Sequence, residues 1–223
     1  MIYRKDYIPS KTACNRRPAL AMTATTITIH NTGNPSSTAA NERSWLTNDT
    51  NNRQASFHIV VDSKEAIECI PLTENAWHAG DGSKVGSGNR SSIGVEICES
   101  GDYAKTLDNA ATLVASMLKE RGWGVDRLRR HFDWSGKICP HLMYGSGKWT
   151  GWTAFKNMVD YKLKTGGVAV NKGVKVTVNV NGKKVADGVL DNGTTYTPAR
   201  AVAEALGATV VYDAETKTVN ITK

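Results

Sequence analysis

Thr25-Thr26-Ile27-Thr28-Ile29-His30 is a β-branched run that stops at Asn31-Thr32-Gly33-Asn34-Pro35, a cluster of turn formers. A strand ending there places an imidazole at its carboxyl end, where side chains face clefts. Working outward, Ala55-Ser56-Phe57-His58-Ile59-Val60-Val61 and Ala66-Ile67-Glu68-Cys69-Ile70 flank Asp62-Ser63-Lys64-Glu65 and predict a hairpin. Ser92-Ile93-Gly94-Val95-Glu96-Ile97-Cys98 predicts a further strand. Leu107, Ala110, Ala111, Val114, Met117 and Leu118 fall at helical spacing, with Gly122 closing that helix. Two more helices are predicted, one after Pro35 through Trp45 and one over about 151–163. Strands interleaved with packing helices make an α/β domain.

The composition bounds the rest. The 223 residues suffice for one large domain or two small ones, and 40% apolar with 22% charged residues is globular composition. No uncharged apolar run of 18 residues exists, so no transmembrane helix and no membrane insertion are expected. Met1-Ile2-Tyr3-Arg4-Lys5-Asp6-Tyr7 lacks the apolar stretch of a secretory signal. Lys plus Arg number 28 against 21 Asp plus Glu, and the net charge of +7 suits an anionic partner. The four cysteines, Cys14, Cys69, Cys98 and Cys139, form no C-x-x-C pair, which excludes a zinc ribbon or thioredoxin-like motif. They read as reduced and mostly buried.

All five His, four Cys and six Trp precede residue 165, and a Val-rich segment follows. Lys164-Thr165-Gly166-Gly167 therefore reads as a linker between domains at about 1–163 and 168–223. In the tail, Val174, Val176, Val178 and Val180 alternate with polar residues, and Asn181-Gly182 signals a hairpin. Thr197-Pro198 predicts a helix start with Thr as N-cap and Pro in the first turn. Its expected apolar face is Ala201, Val202, Ala205 and Leu206, and Gly207 ends it. Val210-Val211-Tyr212 and Val219-Asn220-Ile221 predict a second hairpin around Asp213-Ala214-Glu215-Thr216-Lys217. The tail is a small β-rich α+β module.

A catalytic zinc site takes three ligands from His, Cys or carboxylate. His30 is one candidate. His131-Phe132-Asp133-Trp134-Ser135-Gly136-Lys137-Ile138-Cys139-Pro140 offers His131 and Cys139 on one loop, with His141 as a rival. A lone His is more often a satisfied polar residue, and a Cys before Pro more often inert packing. Glu96 sits between apolar neighbours on a strand, where a carboxylate either pairs with a cation or faces a cleft as a base. Lys137 is either a solvated loop charge or an oxyanion stabiliser beside Cys139. His58 alternates with Phe57, so one of the two faces the core. Trp77 and His78 in Ala76-Trp77-His78-Ala79-Gly80 suit a substrate groove, and Asn89-Arg90 suit a substrate carboxylate.

Five stretches occur in the order of one family. They are Ile27-Thr28-Ile29-His30-Asn31-Thr32, Ser56-Phe57-His58-Ile59-Val60-Val61-Asp62, Ala76-Trp77-His78-Ala79-Gly80, Asn89-Arg90-Ser91-Ser92-Ile93-Gly94-Val95-Glu96, and His131-Phe132-Asp133 through Lys137-Ile138-Cys139-Pro140. Over roughly residues 20–145 the chain resembles the zinc-dependent N-acetylmuramoyl-L-alanine amidases of the type-2 group, which include phage endolysins and peptidoglycan-recognition proteins. The resemblance implies a mixed central β-sheet flanked by helices. It implies one zinc ion bound by His30, His131 and Cys139, with Glu96 acting on the water and Lys137 on the tetrahedral intermediate. Phe57, His58, Trp77, His78, Asn89 and Arg90 would contact substrate. The bond cleaved would join N-acetylmuramic acid to L-alanine of the peptidoglycan stem peptide. Cys139 favours an active enzyme over a binding-only member, and Phe57 stands where several active members carry Tyr.

The tail resembles a module found at the start of some copper amine oxidases, through Asp191-Asn192-Gly193-Thr194-Thr195-Tyr196-Thr197-Pro198-Ala199-Arg200 and the segments after it. It has no His or Cys, so copper is not expected, and a wall-targeting role is. The expected partners are peptidoglycan and anionic wall polymers, not nucleic acid, for which no motif appears. Without a secretory signal, the expectation is a chain held in a host cytoplasm until release to the wall, or one exported by another route. The rivals are a non-catalytic peptidoglycan receptor and a Cys139–His131 hydrolase.

Overall fold

The computed structural model describes residues 1–166, 174–191, 194–213, 216 and 218–223. The chain divides into two units, Met1–Val170 and Asn171–Lys223. The first contains, in order, β1 (Ile2–Lys5), β2 (Thr26–Asn31), α1 (Ala39–Trp45), β3 (Ile59–Val61), β4 (Glu65–Glu68), α2 (Gly88–Ser91), β5 (Ser92–Ile97), α3 (Tyr103–Glu120), β6 (Leu128–Arg130), α4 (Phe132–Ser135) and α5 (Thr150–Thr165). Its strands form one mixed sheet in the order β1-β4-β3-β5-β2-β6. Strands β3 and β4 pair antiparallel, and every other neighbouring pair runs parallel.

The two-residue period of the strands decides which face does chemistry. Ile27 and Ile29 of β2, Ile59 and Val61 of β3, and Ile93, Val95 and Ile97 of β5 share one core with Leu113, Val114 and Leu118 of α3 and Phe155 and Val159 of α5. The intervening residues Thr28, His30, Gly94 and Glu96 are thereby sent to the opposite face. Val60 and Ile67 join a second core there, with Ala39, Leu46 and Phe57. All six residues of β2 are buried, as a central parallel strand requires.

Helix α3 is capped at both ends. The Asp102 side chain accepts from Lys105 N at 3.0 Å, and Gly122 takes the left-handed φ of +64° just beyond the C-cap. Trp123 N then donates to Leu118 O at 2.9 Å. Helix α5 runs to Thr165, two residues further than the periodicity suggests. Lys164 is held in its last turn by an ion pair with Asp160 at 2.6 Å, and Gly166 ends the helix at φ +71°.

The expected hairpin forms with shorter strands. Residues 55–58 lie outside the ladder, because Ser56 N instead donates to Trp77 O at 2.9 Å. Phe57 and His58 are both buried, Phe57 in the second core and His58 bonded to Glu74 O and Gly94 N. The hairpin turn is organised by Asp62. Its Oδ1 accepts from Lys64 N and Glu65 N at 2.7 and 2.9 Å, and its Oδ2 accepts from Ala39 N at 3.0 Å. One buried carboxylate thus fixes the turn and ties it to the start of α1.

The second unit contains β7 (Val174–Val180), β8 (Lys183–Asp191), β9 (Thr194–Tyr196), α6 (Ala199–Ala205), β10 (Thr209–Asp213) and β11 (Thr218–Thr222). Strands β7, β8 and β9 form one antiparallel sheet, and β10 and β11 form a hairpin. Asn181 and Gly182 both take positive φ, +50° and +76°, which is the geometry a two-residue hairpin turn selects. Two expectations for α6 are corrected. Pro198, not Thr197, is the N-cap, and no side chain among the described residues caps the helix. Ala203 is its buried residue, while Leu206 is 51% exposed, because the helix rests on its side nearer Ala203. Gly167 of the expected linker, Asn192-Gly193, and Ala214, Glu215 and Lys217 of the second turn lie outside the described residues.

The Asp62 arrangement makes a prediction. Asp62→Ala leaves three backbone donors without their acceptor and should cost about 2 kcal/mol. In urea unfolding the midpoint should fall at unchanged slope, and a midpoint equal to the parent's would refute the assignment.

Candidate metal centre

The parallel register builds the site. His30 of β2 stands opposite Glu96 of β5, both near the carboxyl ends of their strands. Arg130 of β6 pairs with Ile29, so His131 follows directly at the same end of the sheet. The chain then folds back through α4 and the loop after it, closed where Phe132 N donates to Cys139 O at 3.1 Å. This return brings Cys139 beside His30.

The ligand atoms of His30, His131 and Cys139 all lie within 4.8 Å of one another. His30 Nδ1 is 3.1 Å from His131 Nδ1 and 3.7 Å from Cys139 Sγ. Glu96 Oε1 approaches His30 Nδ1 to 3.9 Å, while its Oε2 is buried with no hydrogen-bond partner among the described residues. The rival His141 is turned away and meets Glu99 at 3.6 Å. A cleft of about 840 Å³ opens over the cluster, lined by His30, Glu96, His131, Cys139 and Lys137 at one end and by Trp45, Arg53, Phe57 and Trp77 elsewhere.

The electrostatics suit a cation. Burial pushes the His30 imidazole well below its ordinary range, reinforced by the His78 and His131 rings and the Lys137 charge. Burial and then Lys137 hold His131 down to about 4. Both rings are therefore neutral, with lone pairs to give. Burial pushes the Cys139 thiol up to about 12, reinforced by Glu96, so a thiolate here needs a positive ion beside it. Glu96 is driven well above the usual carboxylate range by burial and then by Glu42, against the pull of Lys137. Two imidazoles, a thiol and a nearby carboxylate are a donor set for a divalent borderline-soft metal.

The chain's similarity to known proteins agrees with this geometry. Residues 20–142 match the N-acetylmuramoyl-L-alanine amidase family. The chain belongs to that family. Residues 178–223 match the copper amine oxidase N-terminal domain family. Among relatives, the N-acetylmuramoyl-L-alanine amidases CwlA and XlyB of Bacillus subtilis (strain 168) are 45% and 49% identical over 174 and 156 residues. These matches cover 74% and 68% of this chain, which spans 61% and 47% of the two relatives' lengths. Among solved structures, the catalytic domain of XlyA matches with a TM-score of 0.64 at 39% identity, covering 71% of this chain and 99% of that one.

Within this family member the remaining site candidates separate. Phe57, Trp77 and His78 line the cleft. Asn89 sits beside it and works as a turn brace, its Oδ1 accepting from His78 N and Ala79 N at 2.7 Å each. Arg90 does not reach the cleft lining and donates from its Nη2 to Ala21 O at 3.4 Å. His58 is also outside the lining. Its Nε2–H donates to Glu74 O at 2.8 Å, and its Nδ1 accepts from Gly94 N at 2.9 Å. Arg53, Trp45 and Glu42 line the cleft without having been singled out from sequence. They come from α1 and the loop before residue 56, and no motif in the sequence marks them.

The fully bonded His58 sets a pH dependence. Burial holds this imidazole down to about 4, against an ordinary value near 6.5. The unfolded chain therefore takes up a proton below about pH 6.5 that the folded chain refuses until about pH 4, so stability falls as pH drops through that window. In His58→Asn, urea unfolding of the metal-free chain from pH 6.5 to 4 should lose up to about 3 kcal/mol less than the parent loses. Parallel pH profiles would refute it.

Proposed function

We propose that the chain hydrolyses the amide joining N-acetylmuramic acid to L-alanine in peptidoglycan, with one Zn²⁺ held by His30, His131 and Cys139. The convergence of those three buried donors under an open cleft carries the reading. The family membership and the fit to the XlyA catalytic domain support it. When bound, the ion supplies Lewis acidity toward water and toward the scissile carbonyl.

The chain's own residues supply the rest. Glu96 accepts a proton from the attacking water at its buried, unpartnered Oε2 and passes it to the leaving amine. Its raised affinity for protons, caused by burial, matches that two-way role. Lys137, exposed on the loop that ends at Cys139, places an ammonium on the cleft wall where negative charge develops on the carbonyl oxygen. Trp45, Phe57 and Trp77 give the cleft apolar surfaces for the substrate, while Arg53 offers a cation for a stem-peptide carboxylate. The C-terminal module, a separate unit, holds the enzyme on the wall.

A Cys139–His131 nucleophilic pair is disfavoured. A nucleophilic cysteine needs a depressed pKa, whereas burial raises this one. The Cys139 sulfur also has His30 at 3.7 Å as its imidazole neighbour.

The deciding measurement couples metal content to product chemistry. The purified chain should carry about one zinc, and a chelator should abolish digestion of purified walls. Digestion should release new L-alanine amino termini without new reducing sugar ends. Cys139→Ala should lose both zinc and activity, and a fully active variant would remove Cys139 from the ligand set. Glu96→Gln should keep zinc and lose turnover by roughly 10²–10⁴-fold. Near-parental turnover would exclude Glu96 as the proton carrier.

A further inference from the structure

We propose that His78 is a positioning residue of the metal centre, holding His30 in the tautomer that can ligate through a relay that ends on the Ser92 carbonyl. This rests on the reading that the His30–His131–Cys139 triad binds a divalent ion.

The relay follows from hydrogen-bond chemistry. His78 Nε2 lies 3.0 Å from Ser92 O. A carbonyl only accepts, so that nitrogen carries the proton, and the neutral ring's Nδ1 is a bare acceptor. His78 Nδ1 lies 3.1 Å from His30 Nε2, which must therefore be the donor. The proton of His30 is thus held on Nε2, and its Nδ1 is left bare, turned toward His131 Nδ1 and Cys139 Sγ. Without an acceptor at His78, the His30 proton is free to sit on Nδ1 and block the ligand position.

The surroundings hold His78 to this task. Its backbone N–H and that of Ala79 both donate to Asn89 Oδ1. A Cβ on Gly94 would stand 2.6 Å from His78 Cγ, so the strand beneath must have glycine there for the ring to lie in place. The His58 ring packs edge-on against it at 5.7 Å. Only 7% of His78 is exposed, so the ring is held within the buried layer at the cleft floor.

The test uses two isosteric substitutions in the full chain. His78→Asn puts an amide oxygen close to where Nδ1 stands, and His78→Leu has the same shape with no acceptor. Both leave the same cavity, so a purely structural role would move both alike. In the metal-free chain, long-range ¹H–¹⁵N correlations should show the His30 proton on Nε2 in the parent and in His78→Asn, and a tautomer mixture in His78→Leu. Competition titration with Zn²⁺ should find affinity about 10–100-fold weaker in His78→Leu, and within about threefold of the parent in His78→Asn. Equal zinc affinity in His78→Leu and the parent would overturn the proposal, as would His78→Asn binding as weakly as His78→Leu. A parent that binds no zinc would instead sink the metal reading itself.

Discussion

The parallel register of β2 between β5 and β6 is the constraint from which the site follows. Parallel strands end together, so His30, Glu96 and the residue after β6 arrive at one edge of the sheet without any loop having to reach for them. The period of two then assigns the faces. Ile27, Ile29, Ile93, Val95 and Ile97 are committed to α3 and α5, and this commits His30 and Glu96 to the other side. A one-residue slip of β5 against β2 would turn Glu96 into the core and bring apolar side chains to the cleft floor. The hydrophobic pattern that stabilises the fold is thus the device that aims the chemistry.

The floor beneath the candidate metal donors is polar and buried, and such a layer is stable only when its groups are paired. Thr28 and Ser92 share a hydrogen bond at 2.6 Å, and Trp134 Nε1 donates to Thr28 Oγ1 at 2.8 Å. His58 bridges Glu74 and Gly94, and Glu74 is gripped by Arg17 through two bonds of 2.7 Å each. Two glycines make the layering possible. A Cβ at Gly94 would collide with His78, and one at Gly88 would stand 2.6 Å from the Trp134 ring. Both positions are places where ring and backbone approach too closely for any other residue.

Much of this was legible in the sequence. β-branched periodicity found β2 and β5, helical spacing found α3, and residue chemistry singled out His30, His131, Cys139 and Glu96. What escaped depended on contacts rather than periods. Strand β6 reads Leu128-Arg129-Arg130, too short and too charged for a strand signal, and it is a strand because β2 supplies its ladder. Strand β1, Ile2–Lys5, is an edge paired with β4 and gives no apolar alternation. Ser56, Phe57 and His58 look like strand but are held by Trp77 and Gly94 instead. His78 lines the cleft as its Gly-bounded loop suggests, but a sequence does not show the Ser92 carbonyl beside its Nε2.

The same topology links the site to the stability of the whole unit. His30 lies 101 residues from His131 and 109 from Cys139. A metal bound to all three therefore closes a long loop across the sheet edge, joining the end of β2 to the return after β6. The unfolded chain has no such preformed cluster, so binding energy at these donors is also folding energy. The cluster costs the folded chain something when bare, because it gathers desolvated imidazoles, a thiol and a carboxylate with an orphaned oxygen. That cost is one that a cation at the donors would offset. Apolar packing by α3 and α5 on the opposite face of the same sheet offsets it.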